Sequence, residues 1–408
     1  MAPRKLSHFA WALYDWASSP VPTLHATFVF AVYFTTTLAP ENGTYYWAQM
    51  TGLTALLVAL ASPFVGRFAD NNGLIKQGLT VTLCTGAIAV MLLWFAAPES
   101  TMIWFALGLS ALSIFMMEIS FVFYNGLLVH LADRNNIGRL SGIAWGTGYV
   151  GAVVALGLAL AIFILPETAP FGLDKSTAEH VRATMIFAGL WAIIFSLPLF
   201  FLVPSPPPTP HQGSWFTQLK SSINEARAIP NMMRFLLARM AYNDGLVTVF
   251  ALGGIFAAKV FGFTQTEILL FAISLNVSAG FGAIFGGWAD DRLGSLRTIQ
   301  ISLWGLLLFG SLTIFAPTKL IFWISALCLG IFVGPSQSAS RSYVARLAPD
   351  ASKASLFGLY MVSGKATSFI GPLIYGWLVL ATGFERAGMV IVIVLIALGL
   401  ILLPKERA

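Results

Sequence analysis

The chain has 408 residues, of which 57% are hydrophobic and 10% charged, with a formal net charge of +6. A soluble chain carries about 25% charged residues, so a water-soluble fold of this length would leave too much apolar surface uncovered, and lipid must cover part of it. The basic residues sit singly between apolar runs, which excludes a nucleic-acid-binding stripe. Cys84 and Cys328 lie far apart in apolar runs without metal-ligand spacing, which predicts two small buried hydrophobes and no metal site.

A helix crosses the hydrocarbon core with about 20 apolar residues, and twelve stretches qualify. The first, 8–38, follows Arg4-Lys5; no small-residue cleavage site follows it, so it reads as a membrane helix rather than a signal peptide. It carries Asp15, then Pro20 and Pro22, which predict a kink, and His25, which reads as a satisfied polar residue. The second stretch, 45–69, ends on Gly66-Arg67-Phe68-Ala69-Asp70, and the third is 78–97. The fourth, 101–131, holds Glu118 and, about two turns away on nearly the same face, Tyr124-Asn125. The fifth, 140–165, contains Trp145 and follows Gly138; Gly142 and Gly146 continue its spacing of four, which permits close helix approach. The sixth is 182–203.

Pro204-Ser205-Pro206-Pro207-Pro208-Thr209-Pro210 cannot be helical, and a polar stretch with Lys220, Glu225 and Arg227 follows. Residues 204–230 therefore read as a linker between two six-helix halves, 1–203 and 231–408. The seventh stretch, 231–259, carries Asn243-Asp244. The eighth, 266–289, contains Gly282 and ends on Gly286-Gly287-Trp288-Ala289-Asp290. The ninth is 298–315; the tenth, 319–347, holds Arg341; the eleventh, 354–381, holds Lys365; the twelfth is 385–403.

Lysine and arginine fall mostly on one side of this arrangement, among them Arg4, Lys5, Lys76, Arg139, Lys220, Arg292 and Lys353, against Lys175, Arg182, Lys259, Lys319 and Arg386 on the other. The richer side is expected to be cytoplasmic, with both termini and the linker, in a bacterial inner membrane. The halves echo each other. The second and eighth stretches end alike, Gly142 and Gly148 match Gly358 and Gly364, and Tyr14-Asp15 answers Asn243-Asp244. Parallel repeats with a site between them mark transporters.

The sequence holds no paired metal ligands and no phosphate-binding glycine loop, so neither an enzyme nor an ATP-driven pump is expected, and no cofactor. The helix ends in Gly-x-x-x-Asp resemble the loop signature of the major facilitator superfamily, although Asn71 follows Asp70 where that signature has arginine; the second copy keeps Arg292. Trp11-Ala12-Leu13-Tyr14-Asp15-Trp16-Ala17 resembles the opening of the vacuole-effluxer branch, relatives of a fungal vacuolar amino-acid exporter. Phe123-Tyr124-Asn125, Gly138-Arg139-Leu140-Ser141-Gly142, Tyr242-Asn243-Asp244-Gly245, Gln337-Ser338-Ala339-Ser340-Arg341-Ser342 and Ser363-Gly364-Lys365 continue the likeness over most of the chain. The resemblance implies the major facilitator fold, an all-α membrane protein of twelve helices in two six-helix bundles, and amino-acid efflux. In that fold helices one, four, seven and ten line the cavity, and helices five and eight face each other across the halves.

Charges at membrane depth cost about 2.5–3.5 kcal/mol on insertion scales and are functional by default. Asp15, Glu118 and Arg341 are candidates for proton coupling or gating, with an Asp15–Arg341 brace as the alternative. Asp244, Lys365, Tyr124, Asn125, Asn243 and Trp145 are candidates for substrate binding. Lys365 needs a carboxylate, from Asp244, Glu118 or the substrate; a permanent Asp244–Lys365 brace is the plain alternative. The expectation is a monomeric secondary transporter of a small polar or zwitterionic solute in the lipid bilayer, with protons as a possible coupling ion. An efflux pump for amphipathic compounds, or a sensor or lipid-handling protein on the same scaffold, are the rival readings.

Overall fold

The computed structural model describes residues 4–131, 137–208, 215–347 and 353–404, and among these it is helical with no strand. In chain order the α-helices are α1 (Arg4–Ser18), α2 (Phe30–Tyr33), α3 (Gly43–Asn72), α4 (Ile75–Leu92), α5 (Ile103–Leu131), α6 (Ile137–Ala159) and α7 (Glu179–Leu202). The surface helix α8 (Trp215–Ala228) follows, then α9 (Met232–Phe261), α10 (Gln265–Leu293), α11 (Ser295–Ile314), α12 (Lys319–Leu347), α13 (Lys353–Lys365), α14 (Ile370–Thr382) and α15 (Glu385–Leu402).

Eleven of the described helices are long and apolar enough to cross a membrane. The first is a composite running over Lys5–Leu38. The prolines expected to kink it are followed by a π-helical turn over Pro22–Phe28, and a second such turn covers Phe34–Leu38. A proline ring clashes with the carbonyl four residues back, and widening the turn relieves the clash. His25 is buried in the first of these turns, and its Nε2 shares a hydrogen bond with Ser110 Oγ at 2.9 Å.

The eleventh stretch departs from expectation. Instead of one helix over 354–381 it forms α13 and α14 with a break at 366–369. Pro372 has no N–H for the Ser368 carbonyl, and Gly371 beside it favours helix poorly. In the break the chain makes tight turns, with Ser368 N–H donating to Lys365 O at 3.3 Å and Ile370 N–H to Thr367 O at 2.9 Å.

The chain gathers into two compact units: Met1–Met50, Leu60–Gln212 and Gly262–Ile273 in the first, Thr51–Ala59, Gly213–Phe261 and Ser274–Ala408 in the second. Glycine sets helix contacts within the second. A Cβ at Gly282 would overlap the Ile331 carbonyl, and one at Gly286 would lie 2.5 Å from the Pro335 ring. These glycines, expected to face helix five, thus pack α10 on α12, because only a residue without a side chain lets the two backbones meet. Gly138 and Gly142 lie outside the described side chains, and Gly146 meets nothing within 4 Å.

The loop signature in the second unit is a structural lock. Asp290, which is 5% exposed, accepts from Ser295 Oγ at 2.7 Å, at the first residue of α11, and pairs with Arg346 Nη1 at 3.2 Å.

Candidate functional site

In the first unit, α1 presents Trp11, Tyr14 and Asp15 to α5. The ring of Tyr124 stacks on Trp11 at 4.3 Å and on Tyr14 at 4.4 Å between centroids. Its hydroxyl donates to Asp15 Oδ2 at 2.9 Å. Trp11 Nε1 donates to the Tyr124 carbonyl at 3.1 Å, and Tyr14 Oη shares a 2.5 Å hydrogen bond with Ser120 Oγ. Stacked aromatic pairs contribute about 0.5–1.5 kcal/mol beyond burial, so Tyr124 is held on both faces while its hydroxyl serves the carboxylate. On the other side of α1, a Cβ at Gly148 would come within 3.2 Å of Asp15 Cβ, and one at Gly151 within 2.8 Å of the Trp16 carbonyl. The two glycines let α6 lie against the backbone of α1, and Thr147 Oγ1 donates to Ala12 O at 3.0 Å.

In the second unit, α9 meets both arms of the broken helix. Asn243 Nδ2 donates to Gly364 O at 2.8 Å, and its Oδ1 accepts from Gln337 Nε2 at 3.1 Å. Arg239 Nη1 donates to Tyr360 O at 2.8 Å and Ser363 Oγ at 3.0 Å, with its guanidinium 3.7 Å from the Tyr360 ring centroid. Thr367 Oγ1 donates to Met240 O at 3.2 Å. The Asp244 carboxylate, 1% exposed, accepts from the Gly371 amide at 3.1 and 3.3 Å. Asp244 therefore spends its charge on the first turn of α14, where anions are favoured. Asp244 therefore forms no brace with Lys365, the alternative weighed from sequence, because the break brings an amide to the carboxylate. Lys365 is the last residue of α13, exposed, at the end where a cation is favoured.

The hydrogen bonds also correct the internal repeat. Tyr242 Oη meets Ser340 Oγ at 2.6 Å, as Tyr14 meets Ser120. Thr367 bonds the Met240 carbonyl as Thr147 bonds that of Ala12. Gly371 lies against Asp244 as Gly151 lies against Trp16. All three pairs share one register, so Asp15 answers Asn243 and Trp16 answers Asp244. The alignment of Tyr14-Asp15 with Asn243-Asp244, and of Gly148 with Gly364, is out of register because it pairs aspartates and glycines by type, while the contacts pair residues by position.

Asp15, Glu118, Tyr124 and Asn125 belong to the first unit, and Asn243, Asp244, Arg341 and Lys365 to the second. Tyr124 is buried, Asp15 and Glu118 are half-buried, and Asn125 and Arg341 are exposed. The side chain of Trp145 lies outside the described residues. Arg239 and Gln337 were missed as site residues. A cation one helical turn before Asn243 within an apolar stretch is the available signal for Arg239; Gln337 opens the motif Gln337-Ser338-Ala339-Ser340-Arg341-Ser342, in which only Arg341 stands out as a charge.

A sequence model of the family described as vacuole effluxer Atg22 like matches residues 130–405. The chain belongs to that family. The chain is 25% identical over 424 residues to the uncharacterized MFS-type transporter YxiO of Bacillus subtilis, covering 98% of this chain and 95% of that one. It is 26% identical over 302 residues to autophagy-related protein 22-1 of Aspergillus niger, covering 66% of this chain and 47% of the fungal protein. Among solved structures, a D-xylose-proton symporter superposes with a TM-score of 0.73 at 12% identity, covering 99% of this chain and 98% of that one. The nucleoside transporter NupG superposes with a TM-score of 0.70 at 14% identity, covering 97% and 98%. The fold of this Atg22-like protein is that of the major facilitator superfamily, and the protein is an integral membrane transporter of the MFS type.

Proposed function

We propose that this Atg22-like transporter exports small zwitterionic solutes, amino acids first, by alternating access, with protons as the coupling ion. The reading rests on one observation. Charges of both signs stand on apolar helices without being sealed in protein: Asp15 and Glu118 are half-buried and Arg341 is exposed on membrane-spanning helices, and Lys365 is exposed at the end of α13. Side chains of this kind are expelled from lipid and settle where water reaches them, which supports a wetted path for a polar solute. A solute bearing both an ammonium and a carboxylate complements acids and bases distributed in this way. Efflux draws on the description of the family as vacuole effluxers, and amino acids on the resemblance to the fungal vacuolar amino-acid exporter. The excess of basic residues on one side supports both termini facing the cytoplasm of a bacterial inner membrane.

The test is transport by purified protein in proteoliposomes under an imposed pH gradient, with a panel of radiolabelled L-amino acids. Gradient-dependent movement of at least one amino acid, reduced in Glu118→Gln or Asp15→Asn, is expected. Movement of none of them, with uptake of amphipathic cations instead, overturns the proposed substrate class.

A further inference from the structure

We propose that the break in the eleventh span is a joint clamped by α9, and that Arg239, Asn243 and Asp244 are positioning residues that hold Lys365 at the end of its arm.

Both sides of the break lack the intrahelical partners that a continuous helix would supply. At the end of α13, the orphan carbonyl of Gly364 is taken by Asn243, and one turn earlier Arg239 reaches the Tyr360 carbonyl. At the start of α14, the amide of Gly371 is taken by Asp244. Between the arms, Thr367 reaches the Met240 carbonyl. These partners on α9 lie close to one another in sequence, so a single rigid helix holds the arms on either side of the joint. All three side chains are buried, with Arg239 at 6% exposed, Asn243 at 8% and Asp244 at 1%. A polar group in such a place is expensive unless it is used, and the use visible here is bonding to the joint.

The first unit shows what a helix without the joint does. There α6 runs unbroken through the matching position, and Gly151 meets the backbone of Trp16 where Gly371 meets a carboxylate. Replacing Trp16 by its counterpart Asp244 is what supplies an acceptor for an amide released from a helix. Lys365 immediately follows Ser363 and Gly364, two of the residues that α9 grips. Its placement is therefore set by Arg239 and Asn243 through the backbone of α13. The functional weight of Lys365 rests on the proposed recognition of a zwitterion; the clamp itself does not.

The experiment separates these two claims. Full-length protein in lipid nanodiscs is followed by hydrogen exchange with mass spectrometry. In Asp244→Ala the amides of 366–373 are expected to exchange about tenfold faster or more, as loss of a charge-assisted hydrogen bond requires. Asp244→Asn, which keeps one acceptor oxygen, falls between this variant and the parent, and peptides of the first unit do not change. Should Asp244→Ala fail to fold, Asp244→Asn and Thr367→Val carry the same criterion. In parallel, a spin label at Lys365→Cys, with Cys84 and Cys328 replaced by serine, is expected to gain motion in Arg239→Gln and in Asn243→Ala. Parental exchange at 366–373 in every folded variant, or a label whose motion is unaffected by both α9 changes, overturns the proposal. Amino-acid transport by the parent protein is read separately, so an idle substrate panel would leave the exchange result standing.

Discussion

The carboxylate of Asp244 accepts a hydrogen bond from the amide of Gly371 at 3.1 Å. Its partner is thus backbone, and a lysine in its place has no acceptor to offer. The exchange of Asp244→Lys with Lys365→Asp is expected to do no better than Asp244→Lys alone, since both strand the Gly371 amide at a cost of about 1–3 kcal/mol. Thermal melts of the purified variants check this. Recovery of the parental Tm by the double exchange would restore the ion-pair reading.

Space at Gly371 is the second expectation. A Cβ there would overlap the Thr248 hydroxyl and reach within 3.0 Å of Asp244 Oδ1. Gly371→Ala should destabilise by about 1–3 kcal/mol, the usual range for overpacking. Thr248→Ala added to it should recover part of the loss, because the nearest obstacle is then gone. Gly358 meets nothing within 4 Å, so Gly358→Ala should leave stability unchanged or raise it by up to about 1 kcal/mol through helix propensity. Fluorescence-detected melting of the three variants beside the parent measures the ordering.

The repeat register predicts matched losses. Tyr14→Phe and Tyr242→Phe each delete one buried tyrosine–serine hydrogen bond at equivalent places. Both should lower stability by about 0.5–1.5 kcal/mol and by similar amounts. Tyr124→Phe removes the hydroxyl donating to Asp15; a bond to an ionised group typically costs about 1.5–3 kcal/mol to lose. Chemical denaturation in mild detergent compares the three, and a Tyr124→Phe loss smaller than both others would argue that Asp15 does not depend on this donor.

Outside the membrane, the loop before α7 has its own pH dependence. The hydroxyl and the amide of Ser176 donate to the Asp174 carboxylate, and these bonds hold its pKa below the usual carboxylate range. A depressed native pKa means that the loop's extra order is complete above the unfolded carboxylate value and is lost as pH falls through the lowered native one. Ser176→Ala should move that loss toward higher pH. Exchange of the 170–180 peptide, corrected for the intrinsic rate at each pH, reports the midpoint; an unmoved midpoint would assign the order to other bonds.

Composition, apolar length and the polyproline segment determined on their own that this chain crosses a membrane many times and which charges interrupt its apolar stretches. These are properties of segments, fixed by the cost of taking polar groups into lipid. The kink after Pro20 was legible for the same reason, since a ring that removes an N–H acts locally. Residue type also drew notice to Asp15, Tyr124, Asn243 and Asp244. The use of those residues was decided only by the tertiary structure. Pro372 alone did not reveal that the eleventh span would part, because Pro63, Pro198 and Pro335 are carried inside continuous helices. A proline opens a helix only where a neighbour accepts the freed groups, and here that neighbour is α9, more than a hundred residues earlier in the chain. The same distance hid the partner of Asp244: a carboxylate is satisfied equally by an ammonium or an amide, and only the packing of α14 against α9 chose the amide.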